Sequence, residues 1–136
     1  LLEEVGLAAA LKWFADGFAG RSNMTLHVDV AHDFGRLSED AETALFRVAQ
    51  EALVNAQLHS GSKEASIRVV RDHDQVTLEV TDYGQGMRED GGSAHQVGVG
   101  LQSMKERMRQ LGGRLELLST PTGTMVRAIL PLRGES

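Results

Sequence analysis

The sequence predicts an α/β domain of the α+β kind, with three helices covering one face of a mostly antiparallel sheet. Three observations carry that expectation. Segments of strict apolar alternation are interspersed with longer segments whose apolar residues recur every three to four positions. Their order is α-β-α-β-β-α-β-β, for which helices on one face of a sheet is the economical packing. The alternating strands also require a second face that meets solvent or a layer of different character.

Residues 1–21 read as an amphipathic helix, with Leu7, Leu11, Phe14 and Phe18 on one side and Gly20, Ser22 and Asn23 at its end. Met24, Leu26, Val28 and Val30 then alternate with Thr25, His27 and Asp29, the pattern of a half-buried strand. Ser38 suits an N-cap, with Glu39 and Asp40 in the first turn, where the positive end of the helix dipole favours acid. This second helix is expected to reach about Ser60 and to stop at Gly61. Strands near Ala65–Arg71 and Val76–Thr81 flank the polar turn Asp72-His73-Asp74-Gln75. Between Arg88 and Gln96 no apolar residue is larger than Ala94, so burial cannot anchor that stretch. A third helix is expected from near Gly100, with Leu101, Met104, Met108 and Leu111 on one face and Gly112-Gly113 ending it. Strands near Arg114–Ser119 and Thr124–Leu130, around Pro121-Thr122-Gly123, close the domain.

At 136 residues and 41% apolar content, the chain (1–136) fits one domain that buries roughly two-thirds of its unfolded surface. No apolar run approaches the ~18 residues of a membrane span. Glu3 and Glu4 stand where a secretory leader would be basic. The first residue is Leu1 rather than Met, so a piece of a longer protein is expected, with any membrane anchor elsewhere. The absence of cysteine excludes disulfides and thiolate metal sites and suits a reducing cytoplasm. Fourteen basic against nineteen acidic residues, a net charge of −5, argue against nonspecific contact with nucleic acid or an anionic membrane. An anionic ligand would need local groups that overcome this field.

Three motifs carry chemistry. Glu51, Asn55 and His59 fall at i, i+4 and i+8, one stripe of the second helix. A solvated face is the commoner use of any one of them, and His59 alone suits a helix C-terminus. Together, beside glycine-rich loops, they suggest a site; an amide oxygen at Asn55 suits Mg²⁺, which takes few protein ligands. Asp82-x-Gly84-x-Gly86 ends a strand. Asp and Gly are ordinary turn residues, yet no returning strand follows. A carboxylate there can accept a hydrogen bond from the exocyclic amine of adenine, whereas guanine would oppose one acceptor with another. Gly98-Val99-Gly100-Leu101, at the expected start of the third helix, suits an anion site. It is not a Walker loop, and Ser103 breaks the pattern G-x-G-x-x-G.

In order and spacing these boxes resemble those of sensor histidine kinases. Gln50-Glu51-Ala52-Leu53-Val54-Asn55-Ala56 with His59 looks like the N box, and Asp82-Tyr83-Gly84-Gln85-Gly86-Met87 like the first glycine box. Gly98 to Arg107 looks like the second glycine box, and Gly112-Gly113 with Thr120-Pro121-Thr122-Gly123-Thr124 resembles the closing strands. Glu-Ala-Leu and Met-Lys-Glu-Arg look most like the subgroup that signals to response regulators with helix-turn-helix output domains. The resemblance implies a Bergerat-type two-layer sandwich with a mixed, mostly antiparallel sheet, shared with gyrase, mismatch-repair ATPases and large heat-shock chaperones. It implies ATP and Mg²⁺ as cofactors, with Asn55 on the metal and Asp82, helped by Thr124, on adenine. His59, Gly84, Gly86, Met87, Gly98, Val99, Gly100 and Leu101 would complete the nucleotide site, and residues 88–97 would be the ATP lid. Glu51 matches the water-activating acid of the hydrolytic relatives and joins Asn55 as a catalytic candidate.

The implied activity is that of a protein histidine kinase. The domain would present the γ-phosphate to a histidine on a separate dimerisation domain of the parent chain, for relay to a response regulator. Its implied location is cytoplasmic, whether or not the parent is membrane-anchored, with no direct contact to membrane or nucleic acid. No helix here offers a phosphoacceptor: His27, His32, His73 and His95 fall in strand, turn or lid segments. Leu58 stands where many relatives carry a basic residue. Alternatives are a hydrolytic ATPase or an anti-sigma-type serine kinase on the same fold, and a non-catalytic scaffold with a decayed pocket.

Overall fold

The computed structural model describes residues 2–31, 34–84 and 92–132, and for residues 59, 60 and 92–99 the backbone alone. Three helices, α1 (Leu2–Ser22), α2 (Glu39–Asn55) and α3 (Gly92–Gln110), accompany five strands. The strands are β1 (Thr25–Val30), β2 (Glu64–Arg71), β3 (Gln75–Asp82), β4 (Arg114–Thr120) and β5 (Gly123–Pro131). They form one sheet in the order β1-β2-β3-β5-β4, parallel between β1 and β2 and antiparallel elsewhere. A parallel pair needs a long crossover, and α2 supplies it. The fold is therefore the mixed, mostly antiparallel sandwich that the sequence predicts.

One face of every strand feeds a single core. Ala65, Ile67 and Val69 on β2, Val76, Leu78 and Val80 on β3, and Val126, Ala128 and Leu130 on β5 are buried against Leu45, Val48, Ala49 and Leu53 of α2. Leu7, Leu11, Ala15 and Phe18 of α1 and Leu101 and Met108 of α3 complete this cluster. Phe14 lies at its margin, packed on Phe18 and edge-on to Phe46, both with ring centroids 5.7 Å away. The opposite sheet face is polar and laced by ion pairs. Arg127 reaches its register partners Glu79 (2.9 Å) and Glu116 (3.3 Å), and His27 lies 2.7 Å from Glu64. Among the described residues no helix is long and apolar enough to cross a membrane.

Local signals set several boundaries. The Ser38 hydroxyl accepts from the Ala41 amide at 3.2 Å and caps α2. Gly112, at φ 83°, ends α3 with the Gly113 amide reaching back to Met108 O and the Gly112 amide to Arg109 O. This is the paired closure that a left-handed residue after a helix permits.

Three expectations are corrected. The leading helix is interrupted at Gly6, whose φ of 85° and ψ of 171° lie outside the helical region. A side chain there would collide with Arg36, because its Cβ would sit 2.8 Å from Arg36 Cδ. The second helix does not continue unchanged to Ser60: residues Ala56–Ser60 form a π turn, and Gly61 follows in the left-handed region at φ 68°. The third helix starts at Gly92, eight residues before Gly100, so Gly98, Val99 and Gly100 lie inside it. Of the expected lid, residues 92–97 are helical, and residues 88–91 lie outside the described residues.

The Gly6 interruption is held by a buried acid. Glu42, 2% exposed in the first turn of α2, receives Arg36 at both oxygens (3.0 and 3.1 Å), the Leu37 amide (3.1 Å) and the Leu7 amide. Arg36 also donates to Glu3 O at 3.0 Å, on the other side of the break. Burial, the largest single influence, pushes the Glu42 carboxyl up, but these donors together hold it below the usual range. A depressed folded-state value means that the stabilisation is present above about pH 4.5 and is lost as pH falls further. Urea midpoints should therefore drop below that pH, and less steeply in Glu42→Gln. Arg36→Met, which takes the cation from the buried Glu42 carboxylate, is expected to lower the urea midpoint at neutral pH.

Candidate nucleotide site

The topology gathers the motifs at one end of the sheet. α2 ends at Asn55, and after the π turn and Gly61 the chain enters β2 at Glu64. The start of β2 pairs with the end of β3, Ala65 opposite Asp82, and Asp82 in turn pairs with Thr124 at the start of β5. The π turn packs against both β5 and α3. The end of α2, the end of β3 and the start of β5 thus share one end of the domain, although their residues are distant in sequence.

Asp82 is 7% exposed, and its Oδ1 accepts from the Gly84 amide (3.1 Å) and the Thr124 amide (3.3 Å). The first is the local turn that Asp and Gly favour. The second ties the carboxylate across to β5. Thr124 is itself buried, and its Oγ1 has no hydrogen-bond partner among the described residues. Asn55 Nδ2 is likewise buried and unpartnered. An unsatisfied buried polar group costs about 1–3 kcal/mol, so two of them at one end of a domain suit a polar ligand. Among the described residues no three His, Cys, Asp or Glu side chains gather into a metal site.

Glu51 faces α3. A Cβ on Gly100 would stand 2.5 Å from Glu51 Oε2, so a side chain there would displace the Glu51 carboxylate. This corrects the expected position of Gly98-Val99-Gly100: their amides are within a helix, not at its dipole-bearing start. Leu101, the next residue, is buried in the core at 5% exposure. Leu58 is exposed. The His59 side chain, Gly86 and Met87 lie outside the described residues.

Sequence reasoning passed over Ser62. Its hydroxyl accepts from the amides of Tyr83 and Glu64, both at 3.2 Å, and donates to the Glu64 carbonyl. It is 7% exposed. Nothing local marks it, since a serine after a glycine reads as loop. Two clefts are lined by residues of these elements. One, of about 430 Å³, runs between α2 and α3 past Arg47, Met104 and Arg107. The other, of about 340 Å³, opens at the polar sheet face beside Thr81, Leu118 and Met125, with Asp82 and Thr124 at its lip. Neither is lined by Asn55.

Residues 40–134 match the family described as histidine kinase-, DNA gyrase B-, and HSP90-like ATPase. The chain belongs to this ATPase family. Similar proteins include the sensor histidine kinase MctS of Rhizobium johnstonii, 34% identical over 134 residues, covering 96% of this chain and 29% of that protein. Another is the sensor histidine kinase NarS of Mycobacterium tuberculosis, 35% identical over 136 residues, 98% of this chain and 31% of that one. The chain thus spans about a third of the length of these relatives. The histidine kinase domain of the Erythrobacter litoralis EL346 blue-light activated histidine kinase superposes with a TM-score of 0.80 at 22% identity, over 95% of this chain and 66% of that one. That likeness shows the shared fold. Both relatives are sensor histidine kinases, and the family that the chain belongs to includes the ATPase domains of such proteins.

Two glycines of this ATPase domain separate packing from pocket. A Cβ on Gly123 would overlap the Asp82 backbone carbonyl, whereas one on Gly100 would meet only the movable end of Glu51. Gly123→Ala should therefore lower stability by about 2 kcal/mol by forcing β5 from β3. Gly100→Ala should change it by no more than about 1 kcal/mol, since alanine favours the helix. Urea denaturation of both variants checks the contrast.

Proposed function

We propose that this domain binds Mg·ATP and donates the γ-phosphate to a histidine on a separate dimerisation domain of a longer sensor histidine kinase. From there the phosphoryl group would pass to a response regulator. The observation that carries the reading is the Asp82–Thr124 rung: a carboxylate fixed by two amides, next to a buried hydroxyl that has no partner among the described residues. A carboxylate acceptor and a hydroxyl side by side complement the exocyclic amine and a ring nitrogen of adenine. Both are buried, so their hydrogen bonds would form away from competing water.

At the other end, Asn55 would hold the metal through its amide oxygen, and its buried Nδ2, without a partner among the described residues, would donate to the ligand. Mg²⁺, when bound, would neutralise the triphosphate charge that a chain of net charge −5 otherwise repels. Glu51, where α2 meets α3, would orient the phosphate end. Gly84 shapes the base pocket, Gly100 and Leu101 shape the α3 side, and His59, Gly86, Met87, Gly98 and Val99 remain candidates by their boxes. Catalysis by such a domain is positioning and charge neutralisation. The accepting histidine would come from another domain, and this domain would act at the cytoplasmic side of whatever protein carries it.

Asp82→Asn removes a charge-assisted hydrogen bond of about 1.5–3 kcal/mol and should weaken ATP binding roughly ten- to a hundredfold. Unchanged affinity by calorimetry would remove Asp82 from the base site. Asn55→Ala should flatten the dependence of ATP binding on Mg²⁺ concentration; an unaltered response would remove Asn55 from the metal. Incubating the domain with labelled ATP and a histidine-bearing dimerisation fragment should label histidine. Label on serine, or rapid hydrolysis without the fragment, would refute the kinase reading.

A further inference from the structure

We infer that Ser62 is a positioning residue for the adenine end of the site, acting through the backbone of Tyr83. The inference rests on the nucleotide reading above and goes beyond it, because Ser62 lies outside every box that carries that reading. The β2–β3 ladder runs from Arg71↔Val76 to Ala65↔Asp82. One step further, the Tyr83 amide does not continue the ladder. It donates instead to the Ser62 hydroxyl at 3.2 Å. The same oxygen accepts from the Glu64 amide at 3.2 Å, and its proton goes to the Glu64 carbonyl. The Ser62 hydroxyl therefore joins backbone groups of two segments. One segment leads out of the π turn that follows Asn55, and the other is the turn that carries Asp82 and Gly84.

The consequence is geometric. A peptide plane pinned at Tyr83 fixes where the chain leaves β3, and the Gly84 amide that follows is one of the two donors holding Asp82 Oδ1. Ser62 is 7% exposed, so water does not readily replace its hydroxyl. Without that hydroxyl the Tyr83 amide loses its acceptor, the Gly84 donor loses its support, and the carboxylate samples orientations other than the one that meets the base. The phosphate end, organised from α2 and α3, has no such dependence. Ser62 thus acts on base recognition and not on triphosphate binding.

The test compares wild type, Ser62→Ala and Ser62→Thr in the 136-residue chain, by calorimetry with Mg·ATP and with Mg·tripolyphosphate, which lacks the base. Loss of one buried hydrogen bond should weaken ATP binding by Ser62→Ala about three- to tenfold. Tripolyphosphate binding should stay within about twofold of wild type, and Ser62→Thr, which keeps the hydroxyl, should retain ATP affinity. Equal losses for both ligands, ATP affinity unchanged in Ser62→Ala, or equal losses in the Ala and Thr variants would each overturn the role of Ser62. If wild type bound tripolyphosphate but not ATP, or neither, the nucleotide reading itself would fall. Intact wild-type binding with an unaffected Ser62→Ala would remove the role of Ser62 alone.

Discussion

The nucleotide end of the domain depends on the last rung between β3 and β5, where Asp82 faces Thr124. A carboxylate that recognises a base must be buried enough to discriminate and fixed enough to point. Burial of an acid is unfavourable unless backbone donors meet it, and here the Gly84 and Thr124 amides do so. Gly123 makes the arrangement possible, since any larger residue would push β5 off the Asp82 backbone. The central β3–β5 pair is in turn held flat against α2, whose own end delivers Asn55. Sheet pairing and helix packing therefore fix the two ends of the site jointly.

A second constraint lies at the opposite end of α2. Glu42 joins the start of that helix to α1 through the Leu7 amide and to the connecting segment through Arg36 and the Leu37 amide. Arg71 extends the tie by donating to the carbonyls of Phe34 and Arg36 while its guanidinium lies 5.7 Å from the centre of the Phe34 ring. The segment between β1 and α2 is thus anchored by arginines from two directions. The helical layer is fastened at its start by charge and along its length by apolar packing.

Much of the fold was legible because its signals are local. Alternation marked the strands within a residue or two, Ser38 marked the start of α2, and Gly112-Gly113 marked the end of α3. What escaped depends on partners distant in sequence. Gly6 looked like an ordinary glycine within a helix until Arg36 filled the space beside it. Glu42 looked like another first-turn acid, and Ser62 like loop filler, although its partner is Tyr83. The start of α3 was misplaced because residues 92–97 lack the large apolar side chains that betray a helix. In the candidate site, only the resemblance to a known family links Thr124 to Asp82; their pairing across β3 and β5 is a matter of sheet register. The meeting of Glu51 and Gly100 was not legible, because both residues were read as facing a ligand rather than each other.

The sheet order has a consequence for how the domain assembles. β3 and β5 are adjacent in space but separated in the chain by α3 and β4, and the amide that ties Asp82 to β5 comes from a residue 42 positions away. Contacts of such long range carry a large loop-closure entropy and form late. A chain still emerging from a ribosome would have completed both acidic and amide-bearing motifs while lacking the strand that sets them against each other. Competence to recognise a base therefore arrives with the β4–β5 hairpin, and a truncation before Gly123 would keep the Asn55 and Asp82 segments in sequence but remove Thr124 and the strand that fixes them in space.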